Sequence, residues 1–197
     1  LLKWWSENAK NTAIYVGNST YKIKSDPDKK WDLPTEIPNQ IDYTRTFNNV
    51  QGNAFFSAKW FLNKNQDVTQ LLAENQYKFP AIPAAVPNFK KLVFDVPRIT
   101  SVVKEKNELV ISLQPTRNNV RYVIFYGTEG NSIIDSDDPS QIIDRFFVHK
   151  NNNRLSIRVP IATIENKTNF ALSYIDYYGN ESKEIITQLP KSVVKNN

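Results

Sequence analysis

The chain has 197 residues, 40% of them hydrophobic and 12% aromatic, and a formal net charge of +5. That is enough apolar side chain for one substantial core or two small ones, and it excludes a largely disordered chain. Cysteine is absent, so disulfides, thiolate metal sites and cysteine nucleophiles are excluded while the redox compartment stays open. The 25 basic and 20 acidic residues are scattered, with nothing denser than Lys29-Lys30 and Lys90-Lys91. A nucleic-acid partner would call for a basic stripe with interleaved aromatics, and none is present. No apolar run approaches the roughly 20 residues of a membrane span. Leu1-Leu2-Lys3-Trp4-Trp5 also lacks the charged-then-apolar order of a signal peptide. With no methionine anywhere, residue 1 is expected not to be the natural start, and an export signal is expected upstream.

In chain order, Leu1, Leu2, Trp4, Trp5 and Ala9 crowd one side of a short helix. Ala13-Ile14-Tyr15-Val16-Gly17 follows as a short apolar strand of the fully buried kind. A loop from Lys24 through Asp32 holds the turn former Asp-Pro-Asp. Thr35 is placed to cap a helix through about Thr46, with Ile37 and Ile41 inward and Pro38 in the first turn. A second apolar strand is expected over Asn53-Ala54-Phe55-Phe56-Ser57. Asp67 then caps a further helix, with Val68, Leu71 and Leu72 buried and Gln70 at the capping-box position. The order helix, strand, helix, strand, helix predicts parallel β/α units. Two units close neither a barrel nor a sheet, so they are expected to be the end of a larger β/α domain, with the earlier portion as their packing partner. Exposed strand edges would invite a truncation-driven oligomer.

Prolines at 80, 83, 87 and 97 deny helix and mark a stiff connector, so the domain boundary is expected near residue 87, dividing 1–87 from 88–197. Beyond it the signals are those of strands: Leu109 to Leu113, Arg121 to Tyr126, Phe146 to His149, Arg154 to Val159 and Asn169 to Tyr174, with a turn cluster from Pro115 to Asn119. Asp135-Ser136-Asp137-Asp138-Pro139-Ser140-Gln141 reads as a capped short turn rather than a calcium loop, since it lacks the glycine and terminal glutamate. His149 is the single histidine, which assembles no metal site by itself.

Two resemblances bear on these halves. The order Val110 to Pro115, Arg121 to Tyr126 and Phe170 to Ser182 resembles a fibronectin type III domain, the specific part being Asp176-Tyr177-Tyr178-Gly179-Asn180-Glu181-Ser182, with Leu113 where that family has a core tryptophan. Trp4-Trp5 with Asn8, Ile14 to Gly17 with Tyr21-Lys22-Ile23, Glu36 to Ile41 with Arg45, and Val50-Gln51-Gly52 with Phe55 to Lys59 resemble the last two repeats of the family-10-like glycosyl hydrolase barrels. These resemblances imply an α/β segment, the seventh and eighth units of a TIM barrel, followed by an all-β sandwich. They further imply a bacterial, exported protein, extracellular, periplasmic or a surface lipoprotein, with a glycan as substrate and no cofactor.

In such a barrel the strand ends build the site, here Asn18, Ser19, Tyr21 and Lys22, then Ser57, Lys59 and Trp60. Glycoside hydrolysis normally takes two carboxylates, and neither strand end carries one. Asp26, Asp28, Asp32 and Glu36 are given capping and helix-dipole roles, so no catalytic residue is assigned to this chain. Substrate contact is assigned to Asn18, Tyr21, Lys22, Ser57, Lys59 and Trp60. Tyr21, Trp60 and Trp31 offer faces to a pyranose, and the polar groups bond hydroxyls. A non-catalytic module binding carbohydrate or protein is the competing reading.

Overall fold

The computed structural model describes residues 1–62, 65–86, 89, 96–115, 120–149 and 155–187. The proline at 87, the expected boundary there, most of the turn over Pro115 to Asn119 and the expected strand start at Arg154 lie outside them. The chain forms two compact units, Leu1–Lys78 and Phe79–Asn197, so most of the proline segment belongs to the second.

The first unit contains α1 (Leu2–Asn8), β1 (Ile14–Asn18), α2 (Glu36–Arg45), β2 (Val50–Phe55), α3 (Lys59–Leu62) and α4 (Gln66–Glu74). Strands β1 and β2 pair in parallel, Ile14 opposite Val50 through Asn18 opposite Phe55, with α2 as the crossover. Its small core joins Ile37 and Ile41 of α2 to Val68 and Leu72 of α4, with Ile23 beneath and Trp31, Phe55 and Phe61 at the margin. Helix α4 starts two residues earlier than the sequence suggests. Asn65 holds the N-cap position, Asp67 pairs with Lys24 instead of capping, and Gln70 donates to Glu74 at 2.7 Å rather than closing a capping box.

The expected fold class is corrected here. The alternation that suggested the last two units of a TIM barrel amounts to a single parallel strand pair, and no repeating α/β pattern continues from it among the described residues. The apolar stripes of α2 and α4 pack against each other, and among the described residues no further strand joins β1 and β2 after α4. β1 is not a fully buried strand either: Tyr15 is 59% exposed, and Gly17 and Ala54 are exposed beside it. The chain is predominantly β, with seven of the nine strands among the described residues in antiparallel sheets.

Those sheets form the second unit. One has the order β3 (Ile99–Glu105), β4 (Glu108–Leu113), β7 (Leu155–Pro160); the other has β6 (Ile142–Phe147), β5 (Val120–Thr128), β8 (Asn169–Asp176), β9 (Ile185–Thr187). Alternate residues of both meet in one core: Leu109, Ile111 and Leu113 of β4 and Leu155, Ile157 and Val159 of β7 against Val123 and Phe125 of β5 and Phe170, Leu172 and Tyr174 of β8. Each such aliphatic or aromatic side chain contributes about 1.5–3 kcal/mol of burial free energy. The opposite face of the four-stranded sheet is covered as well, with Ile124, Tyr126, Ala171 and Ile175 packed with Ile82 and Ile134. The short turn before β6 is capped as its sequence indicates, the Asp138 carboxylate accepting from the Ser140 amide at 2.9 Å.

The turn after β8 is built by Asp176, which is buried and accepts from the amides of Tyr178 and Asn180, each at 2.8 Å, and from the Asn180 side chain at 2.9 Å. Gly179 sits in the left-handed region at φ +80°, and a Cβ there would lie 2.6 Å from the Ala84 carbonyl oxygen. The Val86 amide donates to Tyr178 at 2.7 Å, and Phe89 stacks on the Tyr178 ring at 4.6 Å. Gly179→Ala therefore meets both backbone strain and a clash, whereas Gly130→Ala, at φ +61° with open space around it, meets strain alone. We expect urea unfolding followed by circular dichroism to show Gly130→Ala costing about 1 kcal/mol and Gly179→Ala clearly more; equal costs would refute the Ala84 contact.

Beside this turn, Glu181 accepts from Tyr126 Oη at 2.5 Å and from the Ser173 hydroxyl. Burial, reinforced by the carboxylate of Glu181, pushes the Tyr126 phenol well above its usual range. A folded-state value above the unfolded one of about 10 means this stabilisation is complete below about pH 10 and lost as the pH rises through the folded value. Unfolding midpoints are expected to fall more steeply above about pH 10 in the natural protein than in Tyr126→Phe, which should itself lose about 1.5–3 kcal/mol at neutral pH. Parallel curves would rule out the linkage.

Candidate functional site

The C-terminal ends of β1 and β2 lie side by side and are joined beyond the strands. The Phe56 amide donates to the Asn18 carbonyl at 3.0 Å, the Tyr21 amide to the Phe56 carbonyl at 3.3 Å, and the Thr20 hydroxyl to the Ser57 carbonyl at 3.3 Å. The segments carrying the predicted residues are thus held in register by two backbone bonds and the Thr20 hydroxyl.

Of those residues, Asn18 is buried, and its side chain is used internally. It donates to Gln40 Oε1 at 3.0 Å and accepts from Asn53 Nδ2 at 2.8 Å, and Gln40 in turn donates to Glu36 at 2.8 Å. This chain of bonds ties β1, β2 and α2 together, which is a positioning task and leaves Asn18 little to offer a ligand. Lys22 is likewise engaged. Its ammonium is 3.0 Å from Asp26 and 5.4 Å from the centre of the Trp31 ring. The Asp26 partner raises the Lys22 pKa, while the Asp28 amide, then Lys22, lowers that of Asp26.

Tyr21 and Ser57 are brought together by the bonds above. The Tyr21 ring, 42% exposed, stands edge-on to that of Phe56 at 6.1 Å. Lys59 is exposed at the start of α3, its ammonium 5.5 Å from the centre of the half-buried Trp60 ring, and the Trp60 amide donates to the Ser57 carbonyl at 3.2 Å. Phe56, 72% exposed, is the residue the sequence reading missed as a site member. The signal was available, because successive strand residues point to opposite faces and Phe55 and Phe56 are not both able to face the core.

The carboxylates nearby are committed. Asp26 holds Lys22, Asp67 holds Lys24 at 2.9 Å, and Glu36 accepts from Gln40. No group of three or more acidic or histidine side chains suited to a metal occurs among the described residues. The arrangement offers aromatic edges and faces, a hydroxyl, and a lysine, Lys59, that has no carboxylate partner among the described residues, groups suited to sugar contact.

No family model matches the chain. Glycosyl hydrolase YngK of Bacillus subtilis is 30% identical over 138 residues, which is 66% of this chain and 27% of the relative. The chain is glycosidase-related. It spans about a quarter of the length of that relative. The crystal structure of wild-type OgpA from Akkermansia muciniphila matches at TM-score 0.36 and 15% identity over 50% of this chain and 29% of that one, a likeness too slight to carry an argument.

Removal of the Asn18 amide leaves half-buried Asn53 and Gln40 without their partner. Asn18→Ala should lower the stability of the first unit by about 1–3 kcal/mol. Tryptophan fluorescence reads this unit alone, since Trp4, Trp5, Trp31 and Trp60 all lie in it; an unshifted denaturation midpoint would show the bonds to be energetically idle.

Proposed function

We propose that the chain is part of a bacterial glycoside hydrolase acting outside the cytoplasm on a polysaccharide or cell-wall glycan, with kinship to the family-10-like glycosyl hydrolases. In this reading the ends of β1 and β2 contact sugar and the second unit is an accessory. The observation that carries it is the match over 138 residues with a glycosyl hydrolase. The open cluster of Tyr21, Phe56, Ser57, Lys59 and Trp60 supports it, since aromatic groups beside hydrogen-bond donors suit the two faces of a pyranose. Asn18 and Lys22 act behind that surface, one fixing the strand ends and the other fixing the Asp26 turn.

Cleavage requires an acid and a second carboxylate about 5–9.5 Å apart across the glycosidic bond. With Asp26, Asp67 and Glu36 engaged as described, the proposal assigns that pair to the remainder of the whole protein and assigns this chain to binding.

Titration with neutral oligosaccharides, followed by tryptophan fluorescence, should show weak binding with no release of reducing ends. Tyr21→Ala and Lys59→Ala should each weaken it about 3- to 10-fold, the value of one aromatic or charge-assisted contact. Binding indifferent to both changes would remove the strand ends from the sugar site, and release of reducing ends would overturn the assignment of the carboxylates.

A further inference from the structure

The outer face of the second unit's larger sheet carries a second cluster of aromatic and cationic side chains. Tyr122 of β5 lies opposite Phe147 of β6, and Ile124 opposite Arg145, so Tyr122, Arg145 and Phe147 share one face. A register shift between Val120 and Tyr122 re-aims Arg121, whose guanidinium lies 5.5 Å from the centre of the Tyr122 ring and 5.8 Å from that of Tyr177. Arg145 sits over the other part of this array, 4.9 Å from the Tyr122 ring. Phe147, 50% exposed, meets Tyr122 edge-on at 5.7 Å and His149 at 5.0 Å.

Both arginines are exposed, and among the described residues neither is ion-paired to a carboxylate, although Arg158, Lys22, Lys24 and Lys167 all are. Arg145 spends one N–H on the Ala81 carbonyl at 3.2 Å, which fixes its plane and leaves other donors of the fork open. Stacking on Tyr122 preorganises both guanidinium groups without neutralising them.

We propose that this face binds a carboxylate-bearing polysaccharide, a chain of uronic-acid type, with Arg121 and Arg145 on the carboxylates and Phe147 against a sugar ring. Charge complementarity selects the anion, because a planar guanidinium matches a carboxylate in two parallel hydrogen bonds. The exposed phenyl ring selects a ligand with an apolar face over an acidic peptide. The choice of a glycan rests on the glycoside-hydrolase reading above; the location of the site and the charge of its ligand do not.

Calorimetric titration of the full chain with an oligogalacturonate, a neutral chito-oligosaccharide of equal length and polyglutamate tests this. The oligogalacturonate should bind best and weaken with added salt. Arg121→Gln with Arg145→Gln should reduce its affinity about tenfold or more, and Phe147→Ala about 3- to 10-fold while leaving the response to polyglutamate unchanged. Arg121→Gln alone, whose wild-type side chain makes no hydrogen bond among the described residues, guards against a loss caused by misfolding, as does an unchanged unfolding midpoint. Equal affinity for polyglutamate, or indifference to the paired arginine change, would overturn the proposal. Should neutral sugar binding persist and respond only to Tyr21 and Lys59, the first reading stands and this one fails. Should no glycan of either kind bind, both fail.

Discussion

Strands β5 and β8 pair along almost their whole lengths, from Val120 opposite Asp176 to Thr128 opposite Asn169, and from Val123 to Tyr126 both faces of that pair are buried. One face gives Val123, Phe125, Leu172 and Tyr174 to the core shared with the smaller sheet. The other gives Ile124, Tyr126, Ala171 and Ile175 to the layer under Ile82 and Ile134. A slip of one residue would exchange the two sets, moving Ser173 into the apolar core and taking it from Glu181. The register of this pair therefore bears on where β6 and β9, which pair with its two edges, sit, and it also delivers Tyr122 to the outer face beside two arginines.

The first unit is organised differently. Its core is small and lies between α2 and α4, and the parallel pair is held to α2 as much by amide bonds through Asn18, Gln40 and Asn53 as by apolar packing. Parallel strands ordinarily have both faces covered, whereas here Tyr15 and Phe56 stand open. Rigidity at the strand ends comes from the backbone bonds between Asn18, Tyr21 and Phe56. That is the property a binding surface needs, since preorganised groups lose little freedom when a ligand arrives.

How much could be read in advance follows from the range over which each signal acts. The strands β4, β5 and β8 were legible because β-branched and aromatic residues run through them, and the Asp138 cap because its partner, Ser140, is two residues away. Helix α2 was legible from Ile37 and Ile41. The start of α4 was misjudged because Asp67 has a better use in Lys24, a residue far off in sequence. The same limit governed the fold class: helices and strands alternate along residues 1–78, but whether α4 covers another strand or simply α2 is a long-range fact. In the candidate site, Tyr21, Ser57, Lys59 and Trp60 were named from position, while Asn18 and Lys22 proved to be occupied by Gln40, Asn53 and Asp26. Phe56 was overlooked because an apolar residue next to another was read as core.

The seat of the proline segment has a temporal side. Ile82, Ala84 and Val86 rest on β5, β8 and the Asp176 turn, all of which leave the ribosome later than the segment itself. Until β8 has paired with β5, Phe79 through Val86 has nothing to dock against, and the prolines at 80 and 83 keep it extended and poor in backbone donors meanwhile. During synthesis that composition protects the nascent chain from premature strand pairing, and docking of the segment becomes a late event that reports completion of the unit.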